Sequence, residues 1–227
     1  MSGAPESGHG DGGKGGGALS FWGEQVVPRL TQAALGTARH HAIRERVCAG
    51  LTGDVLELGF GSGLNIAHYP ASVRRVAAVE PSDVAWRLSQ PRREASPTPV
   101  ERAGLDGQDL PFEDDVFDTA LSTWTLCTIP DPVRAMREVA RVLRPGGRLV
   151  FVEHGAAPDA GVLAWQRRLD PLQRRAFAGC HLSRPIDELL ARAGLPPQTL
   201  SRYYAPGEPR PFAHLYEGSS TKPLAGG

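Results

Sequence analysis

The sequence predicts an α/β fold in which a mostly parallel seven-stranded sheet carries helices on both faces and ends in an antiparallel strand pair. Three observations predict it. Short apolar runs alternate with stretches of helical periodicity, the pattern of β-α-β units with right-handed crossovers. The first apolar run, 54–58, passes directly into Gly59-Phe60-Gly61-Ser62-Gly63. The last two runs, 199–204 and 212–216, are joined by the segment 205–211 and read as an antiparallel pair.

Each element follows from local signals. Residues 1–18 are mostly glycine, serine and charge, which predicts a disordered tail, because so little apolar surface cannot offset the entropy of ordering. A single domain is expected over 19–217, followed by a flexible end over 218–227. Val26, Leu30, Ala33, Ala34, Ala38, Ile43 and Val47 recur at helical spacing and predict one or two leading helices over 21–49. After the glycines a helix is expected from near Leu64. A second strand, 76–79, ends at Glu80, and Pro81 and Ser82 turn the chain into a helix over 84–88. Residues 97–108 read as loop with at most a short strand, and 117–121 as a buried strand. Val133, Met136, Val139 and Ala140 make 131–142 an amphipathic helix, which Pro145-Gly146-Gly147 ends. A strand over 148–153 and helices over 162–178 and 185–193 follow, the latter capped by Gly194.

Composition narrows the function classes. The 227 residues, 41% of them hydrophobic, suffice for one core of domain size. Lysine plus arginine (25) balances aspartate plus glutamate (25), so no net field favours nucleic acid or an anionic membrane as the main partner. A small-molecule substrate fits better. No apolar run approaches the roughly 20 residues of a bilayer span, so no membrane span is expected. The N-terminus lacks the apolar region of a signal peptide, and a cytoplasmic location is expected. Cys48, Cys127 and Cys180 are odd in number and widely spaced, so they read as buried free thiols, and no metal site is expected from the cysteines or the His40-His41 pair.

The chemistry lies at the glycine turn. Glycines at 59, 61 and 63, between a strand and a helix, let backbone N–H groups approach a ligand. Glu80 ends the next strand about 17 positions past Gly63, where a carboxylate can accept hydrogen bonds from both ribose hydroxyls of an adenosine. Two features separate S-adenosylmethionine from a nicotinamide dinucleotide. Glu57, just before the glycines, would repel a pyrophosphate but suits the ammonium end of the methyl donor. The glycine spacing also departs from Gly-x-Gly-x-x-Gly, since position 64 is Leu and position 66 is Ile.

With these residues the chain resembles the class I S-adenosylmethionine-dependent methyltransferases, in their UbiE-like subgroup, whose Rossmann-like fold is then expected. The motifs are Glu57-Leu-Gly-Phe-Gly-Ser-Gly63, Val79-Glu80-Pro81, Asp106-Gly-Gln-Asp-Leu-Pro-Phe112, Phe117-Asp118 and Arg141-Val-Leu-Arg-Pro-Gly-Gly147. By this resemblance Glu57 and the glycines line the methionine end, Glu80 the ribose, Asp106 the adenine amino group, and Ser122 with Thr123 the sulfonium side. The implied cofactor set is Glu57, Gly59, Phe60, Gly61, Ser62, Gly63, Asn65, Glu80, Pro81, Ser82, Asp106, Gly107, Gln108, Ser122 and Thr123, with S-adenosyl-L-homocysteine as the product.

Further on, Val152-Glu153-His154, Trp165-Gln166, Leu169-Asp170-Pro171, Phe177-Ala-Gly-Cys180, Leu182-Ser183-Arg184 and Arg210-Pro211-Phe212-Ala213-His214 resemble the thiol methyltransferases of the methyltransferase-like 7 type. Those relatives begin with an apolar anchor where this chain begins with a glycine-rich tail, and Phe60 stands where cysteine is frequent. The resemblance implies S-methylation of a small alkyl or xenobiotic thiol. The UbiE-like core equally permits C-, N- or O-methylation of a quinone, phospholipid headgroup or secondary metabolite. A non-catalytic cofactor-binding or interaction domain is the reading from another class.

His154, ending a strand on the ligand side, is the candidate catalytic residue, since an imidazole pKa near ~6.5 suits a proton acceptor; a merely hydrogen-bonded histidine is the competing reading. His181 and His214 carry weaker signals. Trp124 and Trp165 read as packing residues before pocket walls, and Arg167-Arg168 with Arg174-Arg175 as a solvated helix face.

Overall fold

The computed structural model describes residues 22–177 and 179–224; the tail expected over 1–18 lies outside them. The strands are β1 (Gly53–Leu58), β2 (Val73–Val79), β3 (Val100–Gly104), β4 (Phe117–Thr123), β5 (Leu143–His154), β6 (Thr199–Tyr204) and β7 (His214–Thr221). The α-helices are α1 (Val27–Leu35), α2 (Ala38–Cys48), α3 (Asp83–Leu88), α4 (Gln90–Glu94), α5 (Pro132–Val142), α6 (Ala160–Ala176), α7 (Ile186–Arg192) and α8 (Arg210–Ala213). One sheet runs in the order β3-β2-β1-β4-β5-β7-β6. β1 to β5 pair in parallel, and β7 lies antiparallel to both β5 and β6. Strand order reverses at β1, so the loops after β1, β2 and β4 converge on one edge of the sheet, where ligands of such folds bind.

Alternation along the central strands builds the two layers. Leu149 and Phe151 pack with Leu56, Met136, Val139 and Leu190 on one face, whereas Val150 and Val152 pack with Val55, Leu121, Ile43 and Val47 on the other. Helix α5 starts as its sequence dictates: the Asp131 side chain accepts from Arg134 N at 3.0 Å and Pro132 occupies the first turn. Its buried positions 133, 136 and 139 form the expected stripe.

Three expectations are corrected. Where a helix was expected from Leu64, the chain makes a single 3₁₀ turn, Ile66–His68, because Pro70 forces Tyr69 into extended backbone (ψ 124°). The short strand allowed for within 97–108 forms, as β3, paired to β2. β5 begins at Leu143, so Pro145-Gly146-Gly147 lies within a strand with a register shift, and Gly146 adopts φ +80°. The end expected to be flexible from 218 instead continues β7 to Thr221, because β5 offers it partners from Phe151↔Gly218 to Arg148↔Thr221. Lys222 Nζ then ties that end to the carbonyl of Leu143 at 2.7 Å. Among the described residues no helix is long and apolar enough to cross a membrane.

Phe151 lies fully buried in the central layer. Phe151→Ala is expected to lower unfolding free energy by about 3–5 kcal/mol, read from the denaturant midpoint with an unchanged slope.

Candidate functional site

The loops after β1, β2, β3 and β4, with α1 laid across them, enclose a cavity of about 560 Å³. Its floor is the glycine turn. Gly59 (φ +63°) and Gly61 (φ +58°) adopt left-handed backbone, and a Cβ on Gly59 would fall 2.1 Å from Thr125 Oγ1. This tight turn brings the Gly61 N–H to Glu80 Oε2 at 2.6 Å, while the Ser82 N–H reaches Oε1 at 2.7 Å. Glu80 is buried, which pushes its pKa up, and the two amides oppose that shift. Each carboxylate oxygen keeps a second lone pair toward the cavity, as a ribose diol requires.

Asp106, on the loop after β3, lies at the exposed end of the cavity. Its Oδ1 accepts from Gln108 N at 2.8 Å, and that amide holds the carboxyl below its ordinary range. At the opposite end Asn65 Nδ2 donates to Glu57 Oε1 and Thr123 Oγ1, each at 3.0 Å. Asn65 Oδ1 is buried without a protein partner. Arg44 also lines this end; its guanidinium stacks 4.6 Å over the Trp124 ring, and its Nε is buried without a partner. Burial pulls the Arg44 pKa down to about 10, still charged at neutral pH. Unmatched buried polar groups are costly, and here an acceptor and a cation face one end of the cavity. An amino acid's ammonium and carboxylate would satisfy them, and with Glu80 and Asp106 at the adenosine end the residues fit S-adenosylmethionine.

Most of the expected set meets here: Gly59, Phe60, Gly61, Ser62, Asn65, Glu80, Pro81, Ser82, Asp106, Gly107, Gln108 and Thr123 all line the cavity. Four expected residues do not. Glu57 is fully buried one layer behind, bonded to Asn65 and the Tyr69 hydroxyl, so it acts on the cavity through Asn65. Gly63 turns away and packs against Ile66, Phe60 and Ser89. Ser122 points to the other side of β4 and donates to Glu153 Oε1 at 2.7 Å. His154 is also off the lining, as is its fully buried neighbour Glu153, which accepts from Ser122 and from the Thr125 and Leu126 amides. The His154 Nε2 instead lies 3.3 Å from Cys180 Sγ. The three cysteines are buried free thiols, as expected, and two of them, Cys127 and Cys180, cluster in space with His154.

Sequence reasoning missed Arg44 and Gln32, on the leading helices, and placed Trp124 in the core. One signal was readable. The buried positions of α2 are 40, 43, 44, 47 and 48, so Arg44 falls on the apolar stripe rather than the solvent face. Trp124 carries φ +50°, a costly conformation for an aromatic residue, held by its N–H bond to Val152 O at 2.8 Å. Trp165, by contrast, is exposed and off the cavity.

Three measurements test the site. Each hydrogen bond to a charged group is worth about 1.5–3 kcal/mol, roughly 10–150-fold in affinity, so Glu80→Ala should weaken S-adenosylmethionine at least tenfold by calorimetry. Arg44→Met should weaken it about 10–100-fold yet leave 5′-methylthioadenosine, which lacks the carboxylate, unchanged. Burial pushes the Glu57 pKa up from 4.5 to about 7. Its contribution to stability is therefore complete below about pH 4.5 and lost as pH rises through about 7. Glu57→Gln should remove that loss, so its stability relative to the parent should rise from pH 5 to 7.5 in denaturant titrations.

Comparison with known proteins agrees with this geometry. A family profile described as a methyltransferase domain matches residues 56–151. Over 175 residues the chain is 34% identical to the thiol S-methyltransferase TMT1B of Mus musculus, covering 74% of this chain and 69% of that protein. A demethylmenaquinone methyltransferase of Clavibacter sepedonicus is 35% identical over 114 residues, 50% of this chain and 46% of that one. The chain spans 59 to 66% of the length of the rat and human thiol S-methyltransferases it matches. The solved structure of a SAM-dependent methyltransferase from Aquifex aeolicus shares the fold, with TM-score 0.62 at 13% identity over 86% of this chain and 98% of that chain. The glycine turn, the Glu80 carboxylate and the sheet order thus agree with the sequence similarity, and the chain belongs to the class I S-adenosylmethionine-dependent methyltransferases.

Proposed function

We propose that the protein transfers the methyl group of S-adenosylmethionine to a small apolar thiol. The observation carrying this reading is the reach of the similarity: 144 to 175 residues with thiol S-methyltransferases, against 114 to 132 with demethylmenaquinone methyltransferases. The former extends well past the shared methyltransferase core. The cavity's chemistry supports it too. Ile129, Pro130, Phe177 and Leu35 supply apolar walls, and among the described lining residues Arg44 is the one cation. A phosphate headgroup would compete with the cofactor carboxylate for that cation, whereas a neutral apolar acceptor needs none.

When bound, the cofactor supplies a sulfonium methyl open to in-line displacement. The protein's part is positioning. Glu80 and the glycine turn would hold the adenosine, and Asn65 and Arg44, which contact Thr123 and Trp124, would hold the amino-acid end. Val27, Leu35 and Phe177 add apolar surface to the cavity, which would limit water near the transferring group. The attacking form of a thiol is the thiolate, a minority species at neutral pH given a thiol pKa near ~8.5.

The expected outcome is labelled-methyl transfer to small alkyl thiols, at a rate that climbs with pH toward the acceptor's own pKa. Turnover of demethylated quinones with none of any thiol would reject the proposal and favour the quinone reading. Cofactor binding without any methyl acceptor would favour a non-catalytic domain.

A further inference from the structure

Behind the acceptor side of the cavity, three metal-ligating donors converge from three separate elements. Cys127 lies on the turn after β4, His154 closes β5, and Cys180 follows α6. Their ligand atoms all lie within 4.8 Å of one another, and His154 Nε2 is 3.3 Å from Cys180 Sγ. Both cysteines are buried, and Leu169, Leu182 and Phe212 pack around them. The His181 amide donates to Cys127 O at 2.9 Å, so the two cysteine-bearing segments are already tied together by backbone.

We propose that Cys127, His154 and Cys180 form a three-ligand site for a zinc ion. The donor set is the borderline-soft combination of thiolate and imidazole that zinc takes in proteins. At zinc–sulfur and zinc–nitrogen distances of about 2.3 and 2.0 Å, tetrahedral donors sit roughly 3.5–3.8 Å apart. The observed cluster needs only side-chain adjustments of about an ångström to reach that spacing. The apolar jacket formed by Leu169, Leu182 and Phe212 limits water and strengthens such a site. Among the described residues no fourth His, Cys, Asp or Glu donor joins the group, so one position stays with an exogenous ligand.

The cluster also bears on the cavity wall. Thr125 and Thr128 flank Cys127 and line the cavity, and Phe177, three positions before Cys180, lines it as well. A zinc ion at this point pins the β4 turn, the β5 end and the segment after α6 against each other. It therefore shapes the acceptor side while leaving the Glu80 and Asp106 end untouched.

The test uses the full chain, stripped with a chelator under reducing conditions and then titrated with zinc alone or cobalt(II) alone. One zinc per chain should be retained through gel filtration, and cobalt should give thiolate-to-metal charge-transfer and tetrahedral d–d bands that zinc abolishes. Zinc should also slow alkylation of Cys127 and Cys180 in the unmutated protein, a readout that does not depend on any variant folding. Cys127→Ser and Cys180→Ser should each reduce zinc retention at least tenfold. Less than a tenth of a zinc per chain, a cobalt spectrum without thiolate bands, or full retention in Cys180→Ser would overturn the proposal. S-adenosylmethionine titrations of the stripped and loaded protein should agree, so failure here is separable from failure of the methyltransferase reading.

Discussion

The Glu80 carboxylate is the tie on which the site depends. It joins the loops after β1 and β2 by accepting the Gly61 and Ser82 amides at 2.6 and 2.7 Å. Without a carboxylate there, the Gly61 N–H of the left-handed glycine turn would lose its partner, leaving the turn its backbone bonds from Gly59 and Phe60 to Val79 O. With it, the backbone is preset for a ligand before any ligand arrives. That preorganisation costs the burial of a charge, which the two amides offset.

The same device recurs along the carboxyl edge of the sheet. Glu57 on β1 and Glu153 on β5 are both fully buried, and burial pushes each pKa up to about 7. Each is surrounded by donors: Asn65 and Tyr69 around Glu57, Ser122 and the Thr125 and Leu126 amides around Glu153. Buried carboxylates accepting from loop amides fix irregular backbone more firmly than apolar contacts do, since each bond has a required direction. Trp124, which follows β4, holds its left-handed conformation through its N–H bond to Val152 O, and Val27, Leu35 and Phe177 line the cavity from segments outside the sheet.

Cofactor and acceptor ends thus draw on different parts of the chain. The loops after β1, β2 and β3, together with Arg44 of α2, surround the end that fits the cofactor, whereas α1, the β4 turn and Phe177 after α6 line the rest of the cavity. The quinone-type relatives match 50 to 57% of the chain and the thiol-type relatives 60 to 74%. The acceptor side is where members of such a family can diverge without disturbing how they hold the methyl donor.

By itself the sequence determined the alternating α/β architecture, the antiparallel closing pair and the glycine turn with its distant carboxylate. These are written in short-range signals: period-two apolar runs, glycines at left-handed positions, and a proline or an aspartate at a helix start. Only the tertiary structure decided which polar side chains face the cavity. On β1 and β4, one residue's difference in alternation separates Leu58 and Thr123, which line the cavity, from Glu57 and Ser122, which do not. Arg44 reaches the site from 13 positions before Glu57, and Cys127, His154 and Cys180 meet across more than fifty residues. Nothing local marks such meetings, because they follow from strand order and helix packing, which join positions that spacing along the chain keeps apart.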